Sequence, residues 1–415
     1  MSSRSLSVLL CDRRIGKLEL NSGSMRFLYE NADRPLSISM PIRDEPYTNK
    51  ACEAFFGGLL PENMQAKKKL AILFGISSAS NFGLLEKIGF DCAGAVSVLA
   101  NVEPDAEDTP EIEGRPITDA ELRQYLIELP KKPLFAGVDG IRISLAGAQA
   151  KAALCLIENK LCIPATGVPS THILKPSITG LASSVENEYF SMRLAKLIGL
   201  LVCNVEIRKA LDIEYLLIER YDRVILEDKI YRIHQEDFCQ ALGVVSTKKY
   251  QADGGPNLID CINLVEKSAT QPAKDKLELV KRIIYNVLIG NADAHAKNFS
   301  VLHLDDGAIA LTPAYDILST VIYAQTTSKL AMSIGAESNI DDLRSKNWTK
   351  FHTQARLQKA AFKRLCEDMI GVIQDKVPVL KVEMEQQKLW VPALDELLQG
   401  IEQRTMHLRE ILPHL

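Results

Sequence analysis

The chain has 415 residues with a formal net charge of −4, and 47% of its residues are apolar. These values are typical of a globular protein with two or three folding units, and the charge provides no general attraction to nucleic acid. The nine cysteines are scattered singly, and no run approaches the roughly 20 apolar residues of a membrane span. We therefore expect a cytoplasmic protein with reduced thiols and no membrane contact.

An N-terminal subdomain is predicted for residues 1–101. Short apolar runs separated by turn residues over positions 6–40 predict a small antiparallel meander. Helices are expected near residues 50–56, 62–74 and 80–88, and a strand is expected at 95–100. Residues 101–117 are acidic and contain three prolines, so they are the best candidate for a linker in the chain.

The second region, residues 102–222, is predicted to contain a sheet and a loop of small residues. Thr118 and Glu121 have the spacing of a capping box that opens a helix. Residues 144–151 form the loop, before a hairpin predicted over 152–163. Small residues let backbone N–H groups approach phosphate oxygens closely, so this loop is a candidate phosphate site. It matches neither common glycine-rich nucleotide motif, and an ordinary hairpin connection is the alternative.

A strand predicted at residues 171–176 carries Lys175, and Ser183 with Glu186 predicts a capping box at the start of the next helix. Kinases hold the α- and β-phosphates of ATP through an ion pair between a strand lysine and a helix carboxylate. Lys175 and Glu188 are the candidates here, with Glu186 as the second choice for the carboxylate. The alternative is a solvated lysine and glutamates on a helix surface.

The pattern changes from strand to helix after residue 223. A strand is predicted at 213–218, and residues 219–223 leave it as Glu-Arg-Tyr-Asp-Arg, at the place of a kinase hinge. Helices are expected over residues 235–242, 258–267, 275–289, 353–373 and 393–411. The sequence therefore predicts a mostly helical C-terminal lobe for residues 223–415.

The main group of candidate catalytic side chains follows a buried helix that Gly290 is placed to end. Asp293 and Asn298 are five residues apart, the spacing of base and metal ligand in the kinase catalytic loop. The His-Arg pair that precedes the aspartate in kinases is missing. Because Asp and Asn side chains often bond loop backbone, an ordinary polar loop is the alternative.

A third carboxylate is expected to return to this loop. Predicted strands at 299–304 and 308–311 form a hairpin that carries Asp316 back. Phosphoryl transfer needs an acceptor for the hydroxyl proton and oxygen ligands for Mg²⁺. Asp293, Asn298 and Asp316 can supply these groups.

The motifs together resemble the HipA family of bacterial toxin–antitoxin kinases, over nearly the whole chain. The motifs that carry the resemblance are Ser144-Leu-Ala-Gly-Ala-Gln149-Ala-Lys151, His172-Ile-Leu-Lys175-Pro176, Asn187-Glu188-Tyr189, Glu219-Arg220-Tyr221-Asp222-Arg223, Arg232 to Gly243, Asn291 to Asn298, Leu311 to Asp316 and Lys329 to Gly335. Each is modest alone, and their shared order is highly specific. One departure is Ala150, because the family usually has a glutamate before the lysine of the first motif.

The resemblance implies an α+β fold of two lobes, related to protein kinases and phosphoinositide kinases, with a β-rich N-terminal subdomain and a mostly helical C-terminal lobe. It implies a Ser/Thr protein kinase that acts as a toxin and transfers the γ-phosphate of ATP, with Mg²⁺, to a translation-related protein. In known members this substrate is an aminoacyl-tRNA synthetase. A small helix-turn-helix antitoxin is the implied partner, through which any contact with DNA would be indirect.

The resemblance also implies roles for single residues. Asp293 would be the catalytic aspartate, Asn298 and Asp316 would hold Mg²⁺, and Ser144 would be the autophosphorylation site. The residues expected at the nucleotide are Ala146, Gly147, Ala148, Gln149, Lys151, Lys175, Glu219 and Tyr221, with His295 and Lys297 as further candidates. A structural role is the favoured alternative for His295 and for His234, and a solvated surface position is the alternative for Lys297.

Phosphorylation of Ser144 is expected to switch the kinase off. A phosphoserine adds roughly −1.5 to −2 charges and three acceptor oxygens. Next to a loop that receives ATP phosphates, this charge would repel the nucleotide and draw the loop outward. The alternative is a strand serine of no consequence.

Two rival functions remain open. One is a pseudokinase-like co-repressor or scaffold that binds an antitoxin without phosphoryl transfer. Retention of Lys175, Asp293, Asn298 and Asp316 argues against it, because a decayed site has no chemical need for all four. The other is a small-molecule kinase, which the family motifs outside the site disfavour.

Overall fold

The structure is a computed structural model that describes residues 4–76, 80–100, 110–135, 144–147 and 149–415. Ala148 of the small-residue loop and residues 101–109 of the predicted linker lie outside the described residues. The chain divides into two compact units. The first comprises Met1–Pro176, Arg208–Thr247 and Ser300–Ile309, and the second comprises Ser177–Ile207, Lys248–Phe299 and Ala310–Leu415.

The bounds of the regular elements are as follows. The strands are β1 (Arg4–Leu10), β2 (Arg13–Asn21), β3 (Ser24–Tyr29), β4 (Val96–Leu99), β5 (Gly114–Pro116), β6 (Ala152–Ile157), β7 (Lys160–Pro164), β8 (His172–Pro176), β9 (Val205–Ala210), β10 (Ile213–Glu219), β11 (Arg223–Leu226), β12 (Lys229–Arg232), β13 (His234–Asp237), β14 (Ser300–His303), β15 (Ile309–Leu311), β16 (Lys329–Ile334) and β17 (Glu337–Asn339). The helices are α1 (Asn49–Phe55), α2 (Met64–Leu73), α3 (Asn81–Ile88), α4 (Asp119–Glu128), α5 (Ser184–Leu197), α6 (Phe238–Ala241), α7 (Leu258–Ser268), α8 (Pro272–Ile289), α9 (Ser345–Gln354), α10 (Lys359–Gln386) and α11 (Pro392–Ile411).

The N-terminal part of the first unit forms an antiparallel sheet with strand order β3-β2-β1-β4, so the predicted meander is confirmed for its first three strands. In β3, Met25, Phe27 and Tyr29 are buried while Arg26 between them is exposed. This is the two-residue period of a strand with one face in a core. Phe27 packs against Phe56, which directly follows α1, with ring centroids 5.5 Å apart. The sheet and the first helix therefore share one core.

A second sheet in the order β5-β7-β6-β8-β10-β9 carries the strand of Lys175. Strand β8 lies between β6 and β10 and pairs antiparallel with both. A single cluster of buried apolar side chains extends from the N-terminal meander to this sheet, and includes Phe27, Phe55, Leu154, Leu174 and Leu217. Because apolar burial is the main favourable term in folding, this cluster holds β8 and β10 in place.

Helix α8 is central to the second unit. It packs against α7 and α11. The Tyr285 hydroxyl of α8 donates to the carbonyl of Ser191 in α5 at 2.6 Å. Leu279, Ile283 and Val287 are buried at four-residue spacing, which is the apolar face of a helix. The buried helix predicted before Gly290 is confirmed.

The predicted capping box at Ser183 is wrong. Ser183 has a φ of 56°, in the left-handed region, and its side chain makes no capping bond. The next residue bonds backbone instead, since the Ser184 hydroxyl accepts from the amide of Ile178 at 2.7 Å. At Thr118, by contrast, the predicted capping box with Glu121 is present.

The helix predicted over residues 235–242 begins later than expected. Residues 234–237 form strand β13 and pair with β14, and Asp237 then caps α6 by accepting from the Gln240 amide at 2.9 Å. Tertiary pairing thus overrides the local helical pattern.

Three other segments differ from their predictions. Residues 36–40 form a single bridge, Ser37 with Met40, instead of a strand. The described end of the predicted linker contains β5, which pairs with β7. The helix predicted over 353–373 is two helices, because the chain turns at Arg356, where φ is 53°.

Candidate active site

The candidate catalytic loop, residues 290–298, begins where α8 ends, at Gly290. Its φ is 80°, and a Cβ at this position would lie 2.5 Å from Val321 Cγ2 and 2.8 Å from an Arg404 guanidinium nitrogen. Both the backbone angle and the space therefore require glycine. The Gly290 carbonyl accepts from the amides of Thr320 and Val321 at 2.9 and 3.2 Å, so the start of the loop is bonded to the segment that contains these two residues.

Hydrogen bonds also hold residues 292–298 of the loop. The Ala292 amide donates to the Thr320 hydroxyl at 2.9 Å, and the Ala292 carbonyl accepts from the Ala331 amide at 2.7 Å. The His295 amide donates to the Asp293 carbonyl at 2.7 Å and to Asn298 Oδ1 at 3.2 Å. These hydrogen bonds hold the backbone of the loop in one conformation.

The predicted hairpin brings Asp316 to Asn298. Strands β14 and β15 are joined by a turn in which the Leu304 amide donates to the Ala308 carbonyl at 2.8 Å. The side-chain nitrogen Nδ2 of Asn298 donates to Asp316 Oδ2 at 2.8 Å, although the two residues are 18 positions apart. Asp316 has a φ of 59°, and Tyr315 beside it donates its hydroxyl to the Lys297 carbonyl at 2.8 Å. The prediction that the hairpin returns Asp316 to the loop is confirmed.

The oxygen atoms of Asn298 and Asp316 fit Mg²⁺ that arrives with a nucleotide. Mg²⁺ prefers oxygen ligands and is usually held by one or two protein carboxylates together with phosphates and water. Within the described part of the chain, no cluster of three or more His, Cys, Asp or Glu side chains could hold a metal ion by itself. The assignment of Asn298 and Asp316 as ligands of Mg²⁺ stays a prediction.

Sequence reasoning missed Tyr250. Its hydroxyl donates to Asp293 Oδ1 at 2.9 Å, and its ring lies edge-on to His295 with centroids 5.3 Å apart. Asp293 itself is exposed. No local pattern signals this contact, because 43 residues separate the two side chains and the tyrosine lies in an irregular segment.

Lys297 and His295 are both buried. Lys297 is 7% exposed, so the alternative of a solvated surface lysine is wrong. His295 is 5% exposed and bonds the loop backbone through its own amide. Neither observation identifies a ligand for these side chains, and their contacts with nucleotide stay predictions.

The small-residue loop of the first unit is folded back on itself. Lys151 Nζ donates to the Ala146 carbonyl at 2.6 Å, and the side-chain nitrogen Nε2 of Gln149 donates to the Pro176 carbonyl at 3.3 Å. Gly147 has a φ of 104°, and a Cβ there would lie 2.6 Å from Lys151 Nζ. Among the described residues of this loop, the Lys151 side chain therefore lies against the backbone of Ala146 and Gly147.

Ser144 is fully buried at the start of this loop. Its hydroxyl donates to the Leu59 carbonyl at 2.7 Å, and its amide donates to the Asp91 carbonyl at 3.1 Å. The side chain has no access to a phosphoryl donor in this conformation. Any modification of Ser144 requires the loop to leave this place.

The side chains predicted to form a Lys–Glu pair are all buried. Lys175, in the first unit, is 5% exposed, and in the second unit Glu186 and Glu188 are 8% and 2% exposed. The alternative of a solvated lysine and surface glutamates is therefore wrong. Burying a charged side chain is costly unless it is paired or hydrogen-bonded, so we expect each of these three side chains to have polar partners. Which glutamate serves Lys175 stays a prediction.

The stretch 219–223 contains a buried ion cluster. Arg220 and Arg223 both contact Asp91 and Asp222, and the Asp222 carboxylate also accepts from the Gly94 amide at 2.7 Å. Burial opposes ionisation, but the two arginines outweigh it and hold the pKa of Asp91 and of Asp222 below the usual range.

Glu219 and Tyr221 lie in the same stretch of sequence but are not part of the buried ion cluster. Glu219 is exposed at the end of β10, and the half-buried Tyr221 donates its hydroxyl to Gln235. Their predicted role, backbone contact with adenine, stays a prediction.

His234 is structural, as favoured from the sequence. It is buried in the first unit and its Nε2 lies 2.8 Å from the Leu36 carbonyl. Burial lowers its pKa to about 3, and the neighbouring His303 acts in the same direction. The imidazole is therefore neutral at physiological pH.

Across the described ranges, the helices are all too short or too polar to cross a lipid bilayer.

Comparison with known proteins identifies the family. A sequence model of the HipA N-terminal domain matches residues 6–99, and one of the HipA-like C-terminal domain matches residues 143–377. The chain is 43% identical over 365 residues to Y4mE of Sinorhizobium fredii, a protein named as a candidate kinase, with 86% of each chain covered. It is 30% identical over 351 residues to the serine/threonine-protein kinase toxin HipA of Shewanella oneidensis, covering 80% of this chain and 79% of that protein.

A solved structure agrees over nearly the full length. The HipA toxin in the Shewanella oneidensis complex of HipA, HipB and operator DNA matches with a TM-score of 0.80 and 26% identity, covering 99% of this chain and 97% of that one. The predicted α+β, kinase-like fold is thereby confirmed. By sequence and by structure, this chain belongs to the HipA family.

Proposed function

We propose that this protein is a serine/threonine protein kinase that uses Mg·ATP and acts as the toxin of a toxin–antitoxin pair. The observation that carries the proposal is the contact of Asn298 with Asp316 at 2.8 Å. Asn298 lies five residues after Asp293 in the same loop. This arrangement offers a proton acceptor and two oxygen ligands within one loop and one hairpin. Support also comes from the Shewanella relative, which is named a serine/threonine-protein kinase toxin.

Asp293 acts as the general base in this proposal. The exposed carboxylate accepts the proton of a serine or threonine hydroxyl while the hydroxyl oxygen bonds to the γ-phosphorus. The bond from the γ-phosphorus to the bridging oxygen breaks, and ADP leaves with the electron pair. Bound Mg²⁺ supplies charge neutralisation on the phosphates, and Asn298 and Asp316 hold it there.

The nucleotide contacts are assigned to the first unit and to the catalytic loop. Lys151 and Lys175 bind phosphates, and the amides of the small-residue loop bind them through close backbone approach. Lys151 must first leave the Ala146 carbonyl, which it contacts at 2.6 Å. Glu219 and Tyr221 present backbone groups to adenine. Glu188 pairs with Lys175, with Glu186 as the second choice.

Ser144 is the proposed autophosphorylation site and off-switch. Its hydroxyl contacts the Leu59 carbonyl at 2.7 Å in a fully buried position. A phosphate there would set acceptor oxygens against a carbonyl oxygen and place about two negative charges in the interior. Phosphorylated Ser144 would therefore stay outside, together with a displaced phosphate loop.

The partners are proposed on the same basis. A small helix-turn-helix antitoxin holds the kinase in check and supplies the contact with DNA. The related Shewanella toxin was solved with HipB and operator DNA. The protein substrate belongs to the translation apparatus, with an aminoacyl-tRNA synthetase as the first choice. The formal net charge of −4 agrees with an indirect contact with DNA.

Intact mass before and after incubation with Mg·ATP tests this proposal, with Asp293→Ala alongside and phosphopeptides mapped by sequencing. One added phosphate on Ser144, absent in the variant, is the expected result. In protein that starts unphosphorylated, no added phosphate on the chain or on a supplied synthetase would contradict kinase activity. Retained Mg·ATP binding would then favour the co-repressor or scaffold, and loss of binding would refute the site.

A further inference from the structure

Tyr250 makes a direct contact with the proposed general base. Its hydroxyl donates to Asp293 Oδ1 at 2.9 Å. A hydrogen bond to an ionised carboxylate is charge-assisted and roughly twice as strong as one between neutral groups. The Asp293 side chain is exposed, so a specific partner is needed to restrict its rotamers.

The backbone around Tyr250 is a tight turn. The Tyr250 carbonyl accepts from the amides of Asp253 and Gly255 at 3.1 and 3.0 Å. Gly254 has a φ of 80°, and a Cβ on Gly255 would lie 2.0 Å from the Lys248 carbonyl oxygen. Two glycines are therefore required here, and the turn holds the tyrosine in one place.

The aromatic ring and the following residue are held as well. The Tyr250 ring lies edge-on to buried His295, with an interplanar angle of 79°. Gln251 Oε1 accepts from the Ser333 amide at 2.8 Å and from the Ser333 hydroxyl at 3.0 Å. The phenol is thus held by the contact of its ring with His295 and by the bonds that anchor the next residue, Gln251.

We infer that Tyr250 is a positioning residue, which fixes the Asp293 carboxylate for proton transfer; this inference rests on the proposed kinase function. In the reaction, the acceptor oxygen bonds to the γ-phosphorus, its proton passes to Asp293, and ADP leaves with the electron pair of the broken bond. An ionised carboxylate offers about four acceptor sites, so the bond from Tyr250 is compatible with accepting this proton. Loss of the phenol hydroxyl should slow the chemical step and leave nucleotide binding intact.

The test is Tyr250→Phe, assayed for phosphoryl transfer with the full chain and Mg·ATP. We expect kcat to fall roughly 10- to 100-fold, as for other residues that orient a catalytic group. The KM for ATP and the affinity for Mg·ATP should stay within about twofold of wild type, because the lost interaction acts on turnover. Tyr231→Phe is the matched control, since it removes a phenol hydroxyl from a side chain that is 43% exposed on β12.

A second measurement separates positioning from general loss of structure. In the double variant with Asp293→Asn, kcat should equal that of Asp293→Asn alone, because Tyr250 acts only through that carboxylate. An additional loss in the double variant would overturn the inference. So would an unchanged kcat in Tyr250→Phe, or an increased one, which would indicate that the phenol blocks the acceptor. If wild type itself transfers no phosphate, the proposed function fails instead.

Discussion

Two charged stretches of this chain use their side chains in opposite ways. In residues 219–223, Arg220, Asp222 and Arg223 are buried and neutralise one another together with Asp91. In the catalytic loop, residues 290–298, the backbone is held by hydrogen bonds from Thr320 and Ala331 while the Asp293 carboxylate reaches solvent. In the first stretch, ion pairs between buried side chains stabilise the fold. In the second, the folded backbone positions a carboxylate that stays exposed.

The comparison shows why a charged motif alone does not identify a site. Both stretches read as functional in the sequence, and both are ordered. A side chain becomes available for chemistry when its charge is directed to solvent or ligand and not to a buried partner. The predictions below test this difference, from the largest expected effect to the smallest.

Removing the Asp293 carboxylate from the candidate catalytic loop should greatly reduce turnover and leave folding intact. For Asp293→Asn we expect kcat to fall roughly 10²- to 10⁴-fold, the usual contribution of a general base, with Mg·ATP binding retained. Steady-state phosphoryl transfer and calorimetric titration with Mg·ATP measure the two effects. Asp306→Asn, in the exposed hairpin turn, is the matched control. Normal turnover in Asp293→Asn would remove Asp293 from its role.

Removing a carboxylate of the buried cluster should instead reduce the stability of the folded protein. Asp91→Ala leaves two buried arginines short of a partner, and breaking such a pair costs about 3–5 kcal/mol of unfolding free energy. Urea unfolding measures this loss. Asp212→Ala, which breaks the exposed pair with Arg123, should leave the midpoint near wild type.

The same cluster predicts that the free energy of unfolding falls at acid pH. Because the folded pKa of Asp91 lies below its unfolded value of about 3.9, its contribution is complete above that pH and is lost as the pH falls further. Equal acid sensitivity in wild type and Asp91→Ala would contradict the assignment.

Asp316 should affect nucleotide binding more than folding. For Asp316→Asn we expect the affinity for ATP in the presence of Mg²⁺ to fall at least about 10-fold, because a metal ligand loses its charge. Titrations with Mg²⁺ and with a chelator separate the metal-dependent part. If Mg²⁺ strengthens ATP binding equally in wild type and variant, Asp316 does not hold the metal.

The smallest expected effect on stability concerns buried His234. Its pKa is lowered to about 3, below the unfolded value of about 6.5, so acid favours the unfolded state over this interval. Between pH 7 and pH 5 we expect its contribution to the unfolding free energy to fall by about 2 kcal/mol. Urea unfolding at both pH values should show this fall in wild type, reduced by that amount in His234→Gln. An identical fall in both proteins would exclude His234 as the cause.

Local patterns predicted many elements correctly. The N-terminal meander, the capping box at Thr118, the buried helix before Gly290 and the hairpin that returns Asp316 are all present. Each depends on turn residues, helix ends and periodicity within a short window. The failures arise where distant partners compete: residues 235–237 read as helix but pair with β14, and Ser183 loses its capping role to a left-handed turn.

The sequence by itself determined the family, the order of elements and the spacing of Asp293, Asn298 and Asp316. Each of these can be read from short motifs and from their order along the chain. Tertiary structure alone decided that Tyr250 contacts Asp293 and that Asp222 meets the Gly94 amide, across 43 and 128 positions. It also decided that Lys297 and Ser144 are buried. The physical reason is that burial and long-range contacts depend on how whole elements pack, and no short window of sequence contains that information.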